Sequence, residues 1–83
     1  MAKKVAPQIY MDIYNGFTYW IDGQEMVDNE WRLYIRPNNL VKDNLDTPRE
    51  PHDIYSSKKH AMENAIKEID YIISHPNENW NFK

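Results

Sequence analysis

Apolar residues recur at spacings of three and four between Ala61 and Ile73: Ala61, Met62, Ala65, Ile66, Ile69, Ile72 and Ile73. That spacing lines one stripe of an α-helix. Lys59, Glu63, Lys67, Asp70 and Ser74 fall on the other side. Lys59/Glu63 and Glu63/Lys67 are opposite charges four apart, each pair adding roughly 0.2–0.5 kcal/mol. Ser56 or Ser57 can accept from the open N–H groups of the first turn. Pro76 disfavours helical geometry in His75, so the helix is predicted to end near Ser74. A helix of about 18 residues with one apolar stripe is not stable alone in water. Residues 8–55 must therefore supply the surface it packs on.

The pattern there changes to alternation. Residues 8–22, QIYMDIYNGFTYWID, alternate around Asn15-Gly16, which signals a hairpin. A two-residue loop would set Tyr14 opposite Phe17 and Met11 opposite Trp20, mixing apolar sets on each face. A three-residue loop of Tyr14, Asn15 and Gly16 sets Ile13 opposite Phe17, Met11 opposite Tyr19 and Ile9 opposite Ile21. It gathers all six on one face, and is the register this pattern favours. Residues 23–30, GQEMVDNE, form a polar, acidic connection and a candidate functional loop. Trp31, Leu33 and Ile35 then point inward and Arg32, Tyr34 and Arg36 outward, until Pro37 closes the strand. Asn38-Asn39 reads as a turn, Leu40-Val41 as the start of a short fourth strand, and Ile54-Tyr55 as a strand end before the helix. Residues 42–53, with two prolines and many charges, read as an irregular loop.

The expected architecture is α+β: a three- to four-stranded antiparallel sheet with one C-terminal α-helix packed on one face. Residues 1–7 read as a flexible arm, 8–75 as a single domain and 76–83 as a tail. An unpaired edge in so small a sheet leaves both a monomer and an edge-paired homodimer open.

Composition narrows the function. Eighty-three residues give a small core, and three Trp, six Tyr and two Phe help to fill it. No apolar run is long enough to span a membrane. The start, MAKKVAPQ, lacks the apolar region of a secretory signal. The absence of cysteine removes thiol chemistry and suits a reducing cytoplasm, the expected location. A net charge of −3 works against general attraction to nucleic acid.

From Glu30 onward, the order EWRLYIRPNN followed by IYSSKKHAMENAIKEI resembles the small YegP-like bacterial domain of unknown function. In that family a Trp-Arg strand runs into an Asn-Gly turn, and a Tyr-Ser-Ser/Thr-Lys segment opens a helix. Trp31, Arg32, Asn38, Tyr55, Ser57, Lys58, Ala61 and Ile66 match. Asn39 stands where the family has glycine, and the 42–53 loop is longer. The resemblance implies the same sheet-plus-helix build and no particular activity. The Asn-, Asp-, Tyr- and Ile-rich style of a small acidic chain is also similar to that of phage accessory proteins.

The residues offer little catalytic equipment: no cysteine nucleophile, Gly-rich phosphate loop or paired-histidine metal motif. His52, His60 and His75 match no ligand spacing, and His75 suits the helix C-terminus electrostatically. The expectation is a non-enzyme with no metal or cofactor. On the outer sheet face, Tyr10, Thr18 and Trp20 are expected beside Arg32, Tyr34 and Arg36. Three readings remain open there. Tyr, Trp and Arg are typical anchors of a protein interface. Rings interleaved with arginines also suit RNA or single-stranded DNA. Alternatively Trp80 and Phe82 from the tail cover the rings. Acidic loop residues, Asp22, Glu25, Asp28 and Glu30, then Asp43, Asp46, Glu50 and Asp53, could mimic nucleic acid, although solvated loops explain them as well. The leading expectation is stoichiometric contact with another protein, as in a phage-type inhibitor of a host defence factor. Tyr10, Trp20, Arg32, Tyr34, Arg36, Glu25 and Asp28 are its candidate contact residues, and RNA binding by the same face is the alternative.

Overall fold

The structure is a computed structural model that describes residues 3–23, 30–41 and 51–78. It is α+β, with an antiparallel sheet of five strands and one helix. The strands are β1 (Lys3–Ala6), β2 (Ile9–Tyr14), β3 (Phe17–Gly23), β4 (Trp31–Pro37) and β5 (Asp53–Tyr55). Their spatial order is their chain order, a simple meander. The helix, α1, spans Lys58–Ser74 and packs chiefly over β3, β4 and β5.

The helix matches its sequence pattern closely. Ser57 is the cap, its hydroxyl accepting from the His60 N–H at 3.1 Å, which satisfies one of the open first-turn donors. Ala61, Ala65, Ile69 and Ile72 are buried against Tyr19, Ile21, Leu33 and Ile35. Two alanines in that row let the helix backbone approach the sheet, while Ile69 fills the space beyond them. Ile73, expected in the same stripe, is exposed instead. It lies one step round the helix from Ile72, outside the arc the sheet covers.

Three sequence expectations require correction. The hairpin register is that of the two-residue loop: Tyr14 pairs with Phe17, Ile13 with Thr18, Met11 with Trp20 and Ile9 with Asp22. Asn15 and Gly16 both have positive φ, 52° and 87°, the backbone required by the tight turn whose twist matches the strands. Turn chemistry therefore overrides the tidier apolar sorting. Tyr10, Asp12 and Tyr14 face the helix side, and Ile9, Met11 and Ile13 face outward.

Next, Lys3–Ala6 is a strand rather than a loose arm, pairing Lys3 with Met11 and Lys4 with Tyr10. Pro7-Gln8 makes the connection, proline leading and Gln8 taking a positive φ of 63°, which is the arrangement of a type II turn. Finally, Leu40-Val41 does not begin a strand: the expected turn at Asn38-Asn39 is a turn of 3₁₀ helix that runs through Leu40, Asn38–Leu40. Asn38 donates its N–H to the Gly16 carbonyl at 3.0 Å, and its side-chain oxygen accepts from the Thr18 hydroxyl at 2.6 Å. The end of β4 is thereby tied to the hairpin tip.

Gly23 shows why the far end of β3 has no side chain. It pairs with Trp31, and a Cβ there would lie 2.5 Å from Cη2 and 2.7 Å from Cε3 of that ring. The indole lies in the space a side chain would occupy. Near the strand edges, Asp12 and Asp53 each accept from the N–H of the following residue, Ile13 and Ile54, at 2.8 Å.

Candidate interaction surface on the outer sheet face

The register converts the outer face into a grid. Across β2, β3 and β4 the rows are Ile13–Thr18–Arg36, Met11–Trp20–Tyr34 and Ile9–Asp22–Arg32. Lys3 extends the middle row and Ile54 extends the last. These side chains share a face because positions two apart along a strand point the same way.

Burial divides the grid into floor and rim. Trp20 is 0% exposed and Tyr34 6%, with Thr18 also buried. Around them Ile9, Met11, Asp22, Arg32 and Arg36 are half-buried. Two corners stand out into solvent, Ile13 at 57% and Ile54 at 49% exposed. The rings therefore do not form the open stacking platform that the alternation suggested.

The two arginines differ. Arg32 is engaged by a single oxygen of Glu30, its Nε donating at 3.2 Å and Nη2 at 3.0 Å. Hydrogen bonding to Glu30, and then to Tyr34, raises its already high pKa further. Asp22, in register with Arg32, is pushed up by burial, which the Arg32 charge partly offsets. Arg36 has no such arrangement: its Nε is buried and has no acceptor. No carboxylate among the described residues pairs with it.

Tyr10 is not part of this surface. It faces the helix side, where Lys58 Nζ sits 4.2 Å from its ring centroid in a cation–π contact. Tyr14, on the same side, donates to Asp70 at 2.9 Å, and that hydrogen bond raises the tyrosine pKa. Glu25 and Asp28 lie outside the described residues, as do Trp80 and Phe82. Ile13, Ile54 and Leu40 were missed as candidates, although Asn15-Gly16 carried the signal for the first. Reading that dipeptide as a two-residue turn places Ile13 outward.

The histidines are dispersed. His52 Nε2 is 2.9 Å from Glu68 Oε2, joining the entry to β5 to the helix. His60 tilts against Tyr55 at 5.3 Å between ring centroids. His75 stacks on Tyr71 at 3.9 Å, and its Nδ1 lies 2.8 Å from the Tyr71 carbonyl oxygen. The tautomer with hydrogen on Nδ1 donates to that helix-end acceptor. Among the described residues no three His, Cys, Asp or Glu side chains converge as metal ligands. No helix among them is long and apolar enough to cross a membrane.

No protein-family model, curated protein or solved structure matches this chain.

Proposed function

We propose that this is a small non-enzymatic binding protein that acts by stoichiometric contact with another protein. The observation that carries this reading is the composition of the outer-face rim. Ile13 and Ile54 project from opposite corners, with Arg32 and Arg36 between them and a buried Trp20–Tyr34 floor beneath. Exposed apolar side chains set among arginines on a rigid base suit a protein partner. A floor already packed loses little side-chain entropy when a partner docks. The reading extends to a phage-type inhibitor that occupies a host defence factor in the cytoplasm. It draws on the chain's size, acidity and style, and the YegP-like resemblance adds no activity to it. RNA binding is the less favoured use of this face, because Trp20 and Tyr34, the rings on which bases would stack, are buried.

The test is affinity capture of the tagged protein from a bacterial lysate, with and without RNase, read by mass spectrometry. One protein recovered in near-equal amount, indifferent to RNase and lost with Ile13→Ser plus Ile54→Ser, is the expected result. Recovery that disappears with RNase would replace this reading by the RNA one.

A further inference from the structure

We infer that Asn15 is a site of spontaneous covalent modification: the Gly16 nitrogen attacks its side-chain amide, which is converted through a cyclic imide into aspartate and isoaspartate. The inference concerns the covalent chain and stands independently of the protein-contact reading.

Of the nine asparagines, only Asn15 is followed by glycine. At each of the others the next residue carries a side chain that crowds the nitrogen which must attack, and glycine has none. The fold leaves this pair open. Asn15 is exposed, and its side chain makes no hydrogen bond among the described residues. Gly16 is also exposed and lies beyond the β2–β3 ladder, which closes at Tyr14–Phe17. Its carbonyl is the group that is held, by the Asn38 N–H at 3.0 Å. A Cβ built on Gly16 would meet nothing within 4 Å, so base and water reach its nitrogen freely. Other asparagines are restrained. The Asn38 side-chain oxygen accepts from Thr18 at 2.6 Å. Asn64 donates to the His60 carbonyl at 2.9 Å inside α1, where the following N–H is committed to the helix.

The chemistry needs only water. A solvent base takes the Gly16 N–H proton, and the nitrogen adds to Cγ of Asn15. The new N–Cγ bond closes a five-membered imide, the Cγ–Nδ2 bond breaks, and Nδ2 leaves with a proton as ammonia. Water then opens the ring at either carbonyl. Cleavage of the N–Cγ bond gives aspartate, and cleavage at the main-chain carbonyl gives isoaspartate, whose chain runs through Cβ and Cγ.

The two products differ in what they do to the fold. Aspartate keeps the chain length and tolerates the positive φ of 52° at this position. Isoaspartate adds a carbon to the main chain of a two-residue turn whose twist is matched to its strands. The Gly16 carbonyl then no longer stands where the Asn38 N–H meets it. The tie between the hairpin tip and the end of β4 is released.

The test incubates the intact protein at mildly alkaline pH and follows each asparagine by peptide mapping and mass spectrometry. Asn15 should convert about tenfold faster than any other asparagine, because Gly16 alone puts no side chain in the path. Asn15→Gln, whose longer side chain closes a less favourable ring, should remove the early product. The isoaspartyl form, separated by chromatography, should shift the Asn38 amide signal in NMR and unfold at lower denaturant concentration. Asn15→Asp should leave both as in the parent protein.

Earlier conversion at another asparagine overturns the proposal. So does conversion of Asn15 about tenfold slower in the native protein than in urea, which would mean that the turn holds the amide away from the attacking nitrogen. An isoaspartyl form with the parent's Asn38 signal and midpoint would overturn the release of the hairpin tip.

Discussion

The two faces of the sheet solve the same problem in different ways. On the inner face, β3 and β4 present Tyr19, Ile21, Leu33 and Ile35, which form one core with the buried helix residues Ala61, Ala65, Ile69 and Ile72. The outer face buries Trp20 and Tyr34 almost as completely, yet its perimeter carries charge and two projecting isoleucines. Where α1 covers β3 and β4 the inner face is apolar, and its work there is cohesion. The outer face combines a cohesive centre with a perimeter that stability alone does not require. That difference is what directs attention to the perimeter as the proposed contact region.

Alanine substitutions at the two centres sharpen the comparison most. Trp20→Ala should cost about 3–5 kcal/mol and Ile69→Ala about 2–5 kcal/mol in denaturant unfolding. If Trp20→Ala cost under ~1 kcal/mol, the outer centre would not be a second core. A smaller effect is expected where the faces meet the sheet's end: Gly23→Ala should lose about 1–3 kcal/mol, because the Trp31 ring has to move from its place. At the β1–β2 turn the sign reverses. Gln8→Gly relieves a left-handed side-chain conformation and, after the added flexibility of the unfolded chain, should stabilise by up to ~1 kcal/mol. An unchanged or lower midpoint would mean that the Gln8 side chain contributes more than its backbone costs.

The last effect is read at alkaline pH. Tyr55 has its pKa pushed up to about 12, first by burial and then by the charges of Asp53 and Glu68. The folded state thus favours the neutral phenol. This contribution is fully present below the ordinary value of 10.0 and is lost as pH rises towards 12. An ultraviolet titration should lose its latest-ionising tyrosine in Tyr55→Phe, and that substitution should flatten the alkaline fall in stability over the same window. Ionisation of every tyrosine near pH 10 would contradict the placement of Tyr55.

How much of this was legible in the sequence depended on whether one face of an element was polar. Helix α1 has a wet side and a dry side, so its extent, its cap within one residue (Ser56 or Ser57, with Ser57 the one used) and its end near Ser74 could be read directly. β4 was equally clear, with Leu33 and Ile35 between arginines. β2 was not, because Ile9, Met11 and Ile13 alternate with Tyr10, Asp12 and Tyr14, and either set passes for the buried one. In such a strand apolar pattern cannot choose the register, and the turn residues must. The resulting one-residue slip put Tyr10 on the wrong face and hid the exposure of Ile13. β1 escaped notice for another reason. Lys3 and Lys4 resemble a solvated arm, but lysine on a short outer strand is also how sheets discourage unwanted neighbours. Arg36's missing acceptor could not be read at all, since it depends on which side chains the fold brings near.

The meander has a kinetic corollary. Every strand pairs only with the strands that precede and follow it in the chain, so no pairing must wait for distant segments to find each other. The β2–β3 hairpin closes through only two residues, and hairpins of this kind form in about 1–10 μs. Its neighbours can then add on each side, with loop-closure entropy rising only slowly along the way. The longest sheet connection runs from β4 to β5, and α1 follows β5 directly. A chain assembled from such local steps should reach its native state early and spend little time with its apolar strands uncovered. For a small protein whose rim keeps isoleucines in water, speed of assembly is itself a protection against aggregation.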